Sequence, residues 1–143
     1  MTGVMWQFSP SAQRALTKRG LVRPRLSMAE MMKSRGIIDI DGNKNAWSSL
    51  YWKLLSSSVT LKVTSTREQW YYDALVPWKH YVSVSPGLAD LDDGVRFVLD
   101  AANDVRLQRM ASASTALVRD PPLFSPDHMA SAACAYLQRA WNK

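Results

Sequence analysis

The chain has 143 residues, 47% of them apolar and 21% charged, with one cysteine and a formal net charge of +6. That composition suits one ordinary domain with a buried core and excludes a disordered or collagen-like chain. No run approaches the roughly 18 unbroken apolar residues of a membrane span, and Met1 to Gly20 is basic and polar where a signal peptide is apolar, so a soluble, non-exported chain is expected.

The elements follow in chain order. Met1 to Arg25 contains Gly3, Pro10, Gly20 and Pro24 and is read as mostly irregular, with a short helix around Ala12 to Lys18. Ser27-Met28-Ala29-Glu30 is a capping box, which predicts a two-turn helix from Met28 to Arg35 stopped at Gly36. Three β-branched runs, Ile37 to Ile40, Val59 to Val63 and Tyr81 to Val84, begin 22 residues apart. That spacing is too long for hairpins and predicts parallel strands joined by crossovers. Trp47, Leu50, Tyr51 and Leu54 make the first crossover an amphipathic helix, and Arg67 to Leu75 offers a shorter second one ended by Pro77.

Beyond Pro86-Gly87 the pattern is helical. Asp90, Asp92 and Asp93 suit a first turn, with Leu91, Val95, Val98 and Leu99 as the apolar stripe. A second stripe runs Val105, Leu107, Met110, Ala111 and Leu117. Ser125-Pro126-Asp127 starts a third helix carrying Met129, Ala133, Tyr136, Leu137 and Ala140. The expected fold class is α/β: a Rossmann-like short parallel sheet with flanking helices and a helical C-terminal tail. The division expected is a basic N-terminal segment, 1–26, and one domain, 27–143.

Charge is unevenly spread. Residues 1–36 carry seven basic side chains against Glu30 alone, and residues 37–143 carry eleven of each sign. The body is neutral and the head is basic, so the net charge does not mark the whole domain for a polyanion.

The most informative stretch is Ile37 to Trp47, where an apolar strand enters the polar turn Asp41-Gly42-Asn43-Lys44-Asn45-Ala46 and then a helix. In a parallel sheet that turn lies at the carboxyl end of a strand, where α/β sheets bind ligands, and a phosphate group is the expected guest. A purely structural turn is the competing reading, since the glycine spacing of a dinucleotide or P-loop motif is lacking. Lys62-Val63-Thr64-Ser65-Thr66 through Gln69-Trp70 ends the second strand beside the same crevice, with hydroxyls, an amide and an indole suited to a ribose and a base. Trp70, Tyr71 and Tyr72 have a plainer reading as core, and the Ser/Thr run as a cap.

Other chemistry finds less support. Asp39-Ile40-Asp41 resembles a metal-holding aspartate pair, but no further acid lies nearby, and no metal is expected. With one cysteine and two histidines, a zinc site of soft ligands cannot be assembled. His80, at the start of the third strand, is read as structural in preference to a general base. No catalytic triad is credible, and Cys134 is expected to be a small buried residue on a helix face.

Arg25 to Glu30, Ile38 to Asn43, Trp47, Lys53 to Val63, Gln69 to Val82 and Asp90-Leu91 together resemble glycosyltransferase family 90, which includes Rumi-like protein O-glucosyltransferases, capsule-associated proteins and lipopolysaccharide-modifying enzymes. Ser48 or Ser49 stands where eukaryotic members have an arginine, which suits the bacterial branch. The resemblance implies one half of a GT-B fold, the half that binds a UDP-sugar such as UDP-glucose, with inversion at the anomeric carbon and no required metal or other cofactor. By matching position, Asp41 to Ala46 would cradle the diphosphate and Thr64 to Trp70 would border the nucleoside. The half bearing the acceptor site and catalytic carboxylate is not matched, so no catalytic residue is assigned.

The resemblance therefore implies the donor half of a transferase acting on a glycan, lipopolysaccharide or protein hydroxyl. It would be a truncated piece or the partner of a separately encoded acceptor half, cytoplasmic and free or at the membrane periphery. The rival reading is a non-catalytic interaction module whose basic segment binds an anionic partner, with nucleic acid the weaker choice.

Overall fold

The computed structural model describes residues 9–22, 24, 26–41, 49–119 and 121–142. The chain divides into two compact units, Met1–Met31 and Met32–Lys143.

In the first unit, α1 spans Pro10–Lys18, capped by the Ser9 hydroxyl, which accepts from the Ala12 N–H, and carrying Pro10 in its first turn. The predicted short helix therefore starts two residues earlier, at a serine-proline start signal. The capping box forms: the Glu30 N–H donates to Ser27 Oγ at 3.2 Å while the Ser27 N–H donates to Glu30 Oε2 at 2.7 Å. Its helix, α2, is only Met28–Met31, not the two turns predicted. The residues beyond are drawn into the sheet instead. The Ser58 hydroxyl donates to Ser34 O, and the Val59 N–H to Arg35 O.

The second unit is built on β1 (Gly36–Asp39), β2 (Val59–Val63) and β3 (Val82–Val84), in the order β1-β2-β3 with both pairings parallel. Fold class, strand number and pairing are as expected from sequence. β2 is central and buried along its whole length. Its odd-numbered residues Val59, Leu61 and Val63 face one way and pack with Val82, Val84, Val98, Leu107, Met110 and Ala111. These come from β3, α4 (Leu91–Leu99) and α5 (Asp104–Arg119). Gly36 is needed on this face, since a Cβ there would lie 2.8 Å from Val98 Cγ1.

The first crossover contains α3, Ser49–Leu55, which buries Leu50, Lys53 and Leu54. Trp47, also assigned to this helix from its spacing, lies outside the described residues. Leu50 and Leu54 join Tyr71, Leu75, Val118 and Leu123 in a second core cluster, with Trp70, Tyr72 and Phe124 around it. Leu123 and Phe124 belong to the short α6, Pro121–Phe124.

The second crossover departs from expectation. Arg67 to Leu75 forms no α-helix, only a 3₁₀ turn at Tyr72–Ala74. Ser65 Oγ accepts the Arg67 N–H at 3.0 Å, a local bond that competes with helix formation, and the aromatics that follow are pulled into the second core.

Some helical stripes are only partly buried. Leu99 and Val105 are exposed, although Val98, Leu107, Met110 and Ala111 are core. α7, Pro126–Trp141, starts as predicted on the Ser125 cap, yet buries no residue. Met129, Tyr136, Leu137 and Trp141 face solvent, and Cys134 is exposed, not buried as expected. Helical periodicity shows that residues share a face, and it cannot show that another element covers it. Among the described residues, no helix is long and apolar enough to cross a membrane.

Candidate functional site

Parallel register places Asp39 beside Lys62 and Lys62 beside Ser83, a polar row across the carboxyl end of the sheet. Partners in register point to the same face, here the face covered by α3 and the aromatic segment. Asp39 is only 1% exposed. Its Oδ1 accepts from Lys53 Nζ at 2.6 Å and from Ser49 Oγ at 3.2 Å, and Lys53 Nζ also donates to Ile38 O at 3.1 Å. α3 is thus fastened to the end of β1 twice, by the Ser49 hydroxyl at its start and by a buried ion pair from Lys53 in its last turn.

Lys62 is buried with its ammonium 4.3 Å from the centre of the Tyr72 ring. Its pKa falls below the ordinary lysine value because burial disfavours the charged form, and the charges of Asp39 and Asp41 oppose that fall. Burial pushes the hydroxyls of Tyr71 and Tyr72 up, and the same two aspartates push in the same direction. Two lysines, two aspartates and two phenols therefore share one electrostatic environment. Asp39 Oδ2, Thr60 Oγ1 and both phenolic oxygens are buried with no hydrogen-bond partner among the described residues.

The candidate residues fall into three sets. Asp41, half-buried just past β1, and Lys62 are brought together. Gly42, Asn43, Lys44, Asn45 and Ala46 lie outside the described residues. Thr64, Ser65, Thr66 and Gln69 continue from the carboxyl end of β2. The Thr64 N–H donates to Val84 O at 2.8 Å, which extends the ladder by one bond, and Thr66 is exposed. Trp70 is half-buried, edge-to-face with Tyr71 at 5.4 Å and with Phe124 at 5.2 Å between centroids. Tyr71 is core, as the plainer reading had it.

His80 is buried, and its Nδ1 accepts the Val76 N–H at 2.9 Å. Burial lowers its pKa below the ordinary value, helped by Lys79. It is a neutral structural residue that holds the turn before β3. Among the described residues no group of three or more His, Cys, Asp or Glu side chains converges as a metal site would require.

The sequence reading named Lys53 and Ser49 only in the family comparison and gave them no role in the site, and it gave Asp39 a chemical role only as a weighed metal ligand. A signal for Lys53 was present, since it sits between Leu50 and Leu54 on the face of α3 that had to be buried. A lysine there needs a carboxylate, and Asp39 was within reach at the end of the preceding strand.

The sequence pattern described as Glycosyl transferase family 90 matches residues 6–121, a span that holds the three strands, the first core cluster, the second except for Leu123 and Phe124, and the polar row. The chain belongs to glycosyl transferase family 90. The family match ends at Pro121, so α7 lies beyond it. Among family relatives, protein O-glucosyltransferase 3 of Homo sapiens is 31% identical over 91 residues, which is 64% of this chain and 17% of that protein. Its counterpart in Mus musculus is also 31% identical over 91 residues, covering 18% of its length. Uncharacterized protein 035R of Invertebrate iridescent virus 3 is 36% identical over 89 residues, 61% of this chain and 8% of that protein. The matched region thus spans less than a fifth of these relatives.

Proposed function

We propose that this family 90 chain is the UDP-sugar-binding part of an inverting glycosyltransferase, a donor domain of residues 27–143 preceded by a basic segment of residues 1–26. The acceptor site and catalytic carboxylate are supplied by another part of the enzyme. The observation that carries the reading is the cluster of Asp39, Asp41, Lys53 and Lys62 at the carboxyl end of a parallel sheet inside the family match. Ligands of α/β sheets bind at that end.

In this reading Asp41 to Ala46 forms the turn that receives the diphosphate, and Lys62 supplies charge from the adjoining strand. Thr64, Ser65, Thr66 and Gln69 offer hydroxyls and an amide to the ribose and base, and Trp70 lines the far side. The donor is UDP-glucose or a related UDP-sugar, a choice supported by relatives named for glucosyl transfer. A glycan, lipopolysaccharide or protein hydroxyl receives the sugar, in the cytoplasm or at the membrane periphery.

The Asp39–Lys53 pair is a positioning device. It holds the last turn of α3 against the end of β1 before any ligand arrives. Orientation fixed in advance reduces the entropy lost on binding.

Calorimetric titration with UDP tests the proposal. Wild-type protein is expected to bind saturably, and Lys62→Gln and Gln69→Ala each to weaken binding by about tenfold, the worth of one charge-assisted or well-aligned hydrogen bond. Absence of binding at millimolar UDP by a folded protein overturns it.

A further inference from the structure

Between Arg14 and Met28 the sequence carries Arg14, Lys18, Arg19, Arg23 and Arg25 and no acidic residue. The next acid, Glu30, is committed to Ser27, accepting from its N–H and its hydroxyl at 2.7 Å each. On α1, Arg14 and Lys18 stand one turn apart on one face, with Ala12 and Leu16 on the other. Gly20, with φ of 65°, ends that helix in the left-handed region, and none of the described residues from Leu21 to Ser27 is in a helix or strand.

On this stretch large apolar side chains stand in solvent among the cations: Leu21 is 63% exposed, Leu26 54% and Met28 49%. All of these residues belong to the compact unit Met1–Met31. The rest of the chain, residues 37–143, is electrically neutral, so the positive field is confined to this end of the sequence.

From this combination we infer that Arg14, Lys18 and Arg19 with Leu21, Leu26 and Met28 form a docking surface for a lipid bilayer with anionic headgroups. Basic side chains meet the headgroup phosphates and carboxylates, while Leu21, Leu26 and Met28 enter the boundary between headgroups and acyl chains. The apolar part decides between partners. Single-stranded nucleic acid is held by cations together with aromatic stacking, and residues 9–31 contain no aromatic side chain. Exposed leucines interleaved with arginines gain nothing from a polyphosphate chain and are stabilised by an acyl boundary.

Co-sedimentation of the full chain with vesicles tests the inference. The chain is expected to bind vesicles containing phosphatidylglycerol, to bind phosphatidylcholine alone weakly, and to be released by salt. Replacing Arg14, Lys18 and Arg19 by Gln is expected to weaken binding by about fivefold for each cation removed. The Leu21→Ser/Leu26→Ser variant, with charge unchanged, is expected to lose binding several-fold. An unchanged thermal midpoint shows that each variant remains folded. Equal binding to both vesicle types contradicts the inference. So does a leucine variant that binds as wild type does while single-stranded RNA competes the protein off, since that identifies a polyanion site.

Discussion

Lys53 shows what a single residue does here. It ends on Asp39 and on a strand carbonyl, with its side chain 10% exposed. Lys53→Met leaves a carboxylate buried without its cation, and we predict a loss of about 3–5 kcal/mol in chemical denaturation. Replacing both partners, Asp39→Leu with Lys53→Met, is expected to recover most of that loss, because the desolvation cost of both charges goes with them. His80 carries a different prediction. Its folded pKa lies below the ordinary 6.5, so the unfolded chain binds the proton more readily. Stability is therefore complete above about pH 6.5 and falls as pH drops toward the folded pKa, a slope expected in thermal midpoints and absent in His80→Gln. Glu30 and Asp90, held below their ordinary values of 4.5 and 3.8 by Ser27 and Ser85, lose their contribution only at lower pH. At this scale the sequence was partly legible. Asp41 and Lys62 could be placed from strand ends alone. The partnership of Asp39 with Lys53 joins two elements and depended on which face of α3 turned inward. Cys134 was misjudged because an alanine-rich face says nothing about what lies opposite it.

At the scale of elements, strands were read more accurately than helices. Val59–Val63 is observed with the bounds expected, because a run of β-branched residues in a central parallel strand has no competing conformation. The helix expected at Arg67 to Leu75 failed because hydroxyl-to-backbone bonds and aromatic packing outweighed a weak helical period. α2 stops after one turn, and the carbonyls of Ser34 and Arg35 beyond it accept from the Ser58 hydroxyl and the Val59 N–H at the start of the sheet. Gly36 gives the element-scale prediction. A methyl group there meets Val98 Cγ1 at 2.8 Å and Leu61 Cδ1 at 3.1 Å, between β1 and α4. Val98 is stiff at χ1 and cannot swing aside, so Gly36→Ala is expected to destabilise by about 1–3 kcal/mol, measured by urea unfolding. A neutral or stabilising effect would show that β1 can shift relative to α4.

For the whole molecule, fold class and family were legible from strand spacing and from motifs spread through most of the chain. The exposed face of α7 was not, because sequence periodicity reports amphipathicity whether or not a partner is present. The net charge separates in the same way: a neutral sheet unit carries the candidate ligand site, and a basic segment carries a surface suited to anionic lipid. The central claim is that the carboxyl end of the sheet receives a nucleoside diphosphate. Amide chemical-shift mapping of the isotopically labelled chain during a UDP titration tests it most directly. Saturable shifts concentrated at Asp39 to Asp41 and Lys62 to Trp70, and diminished in Lys62→Gln, are the predicted result. Shifts confined to the opposite end of the strands, around Ser56 to Val59 and Gln108, or no shifts at millimolar UDP, would contradict it.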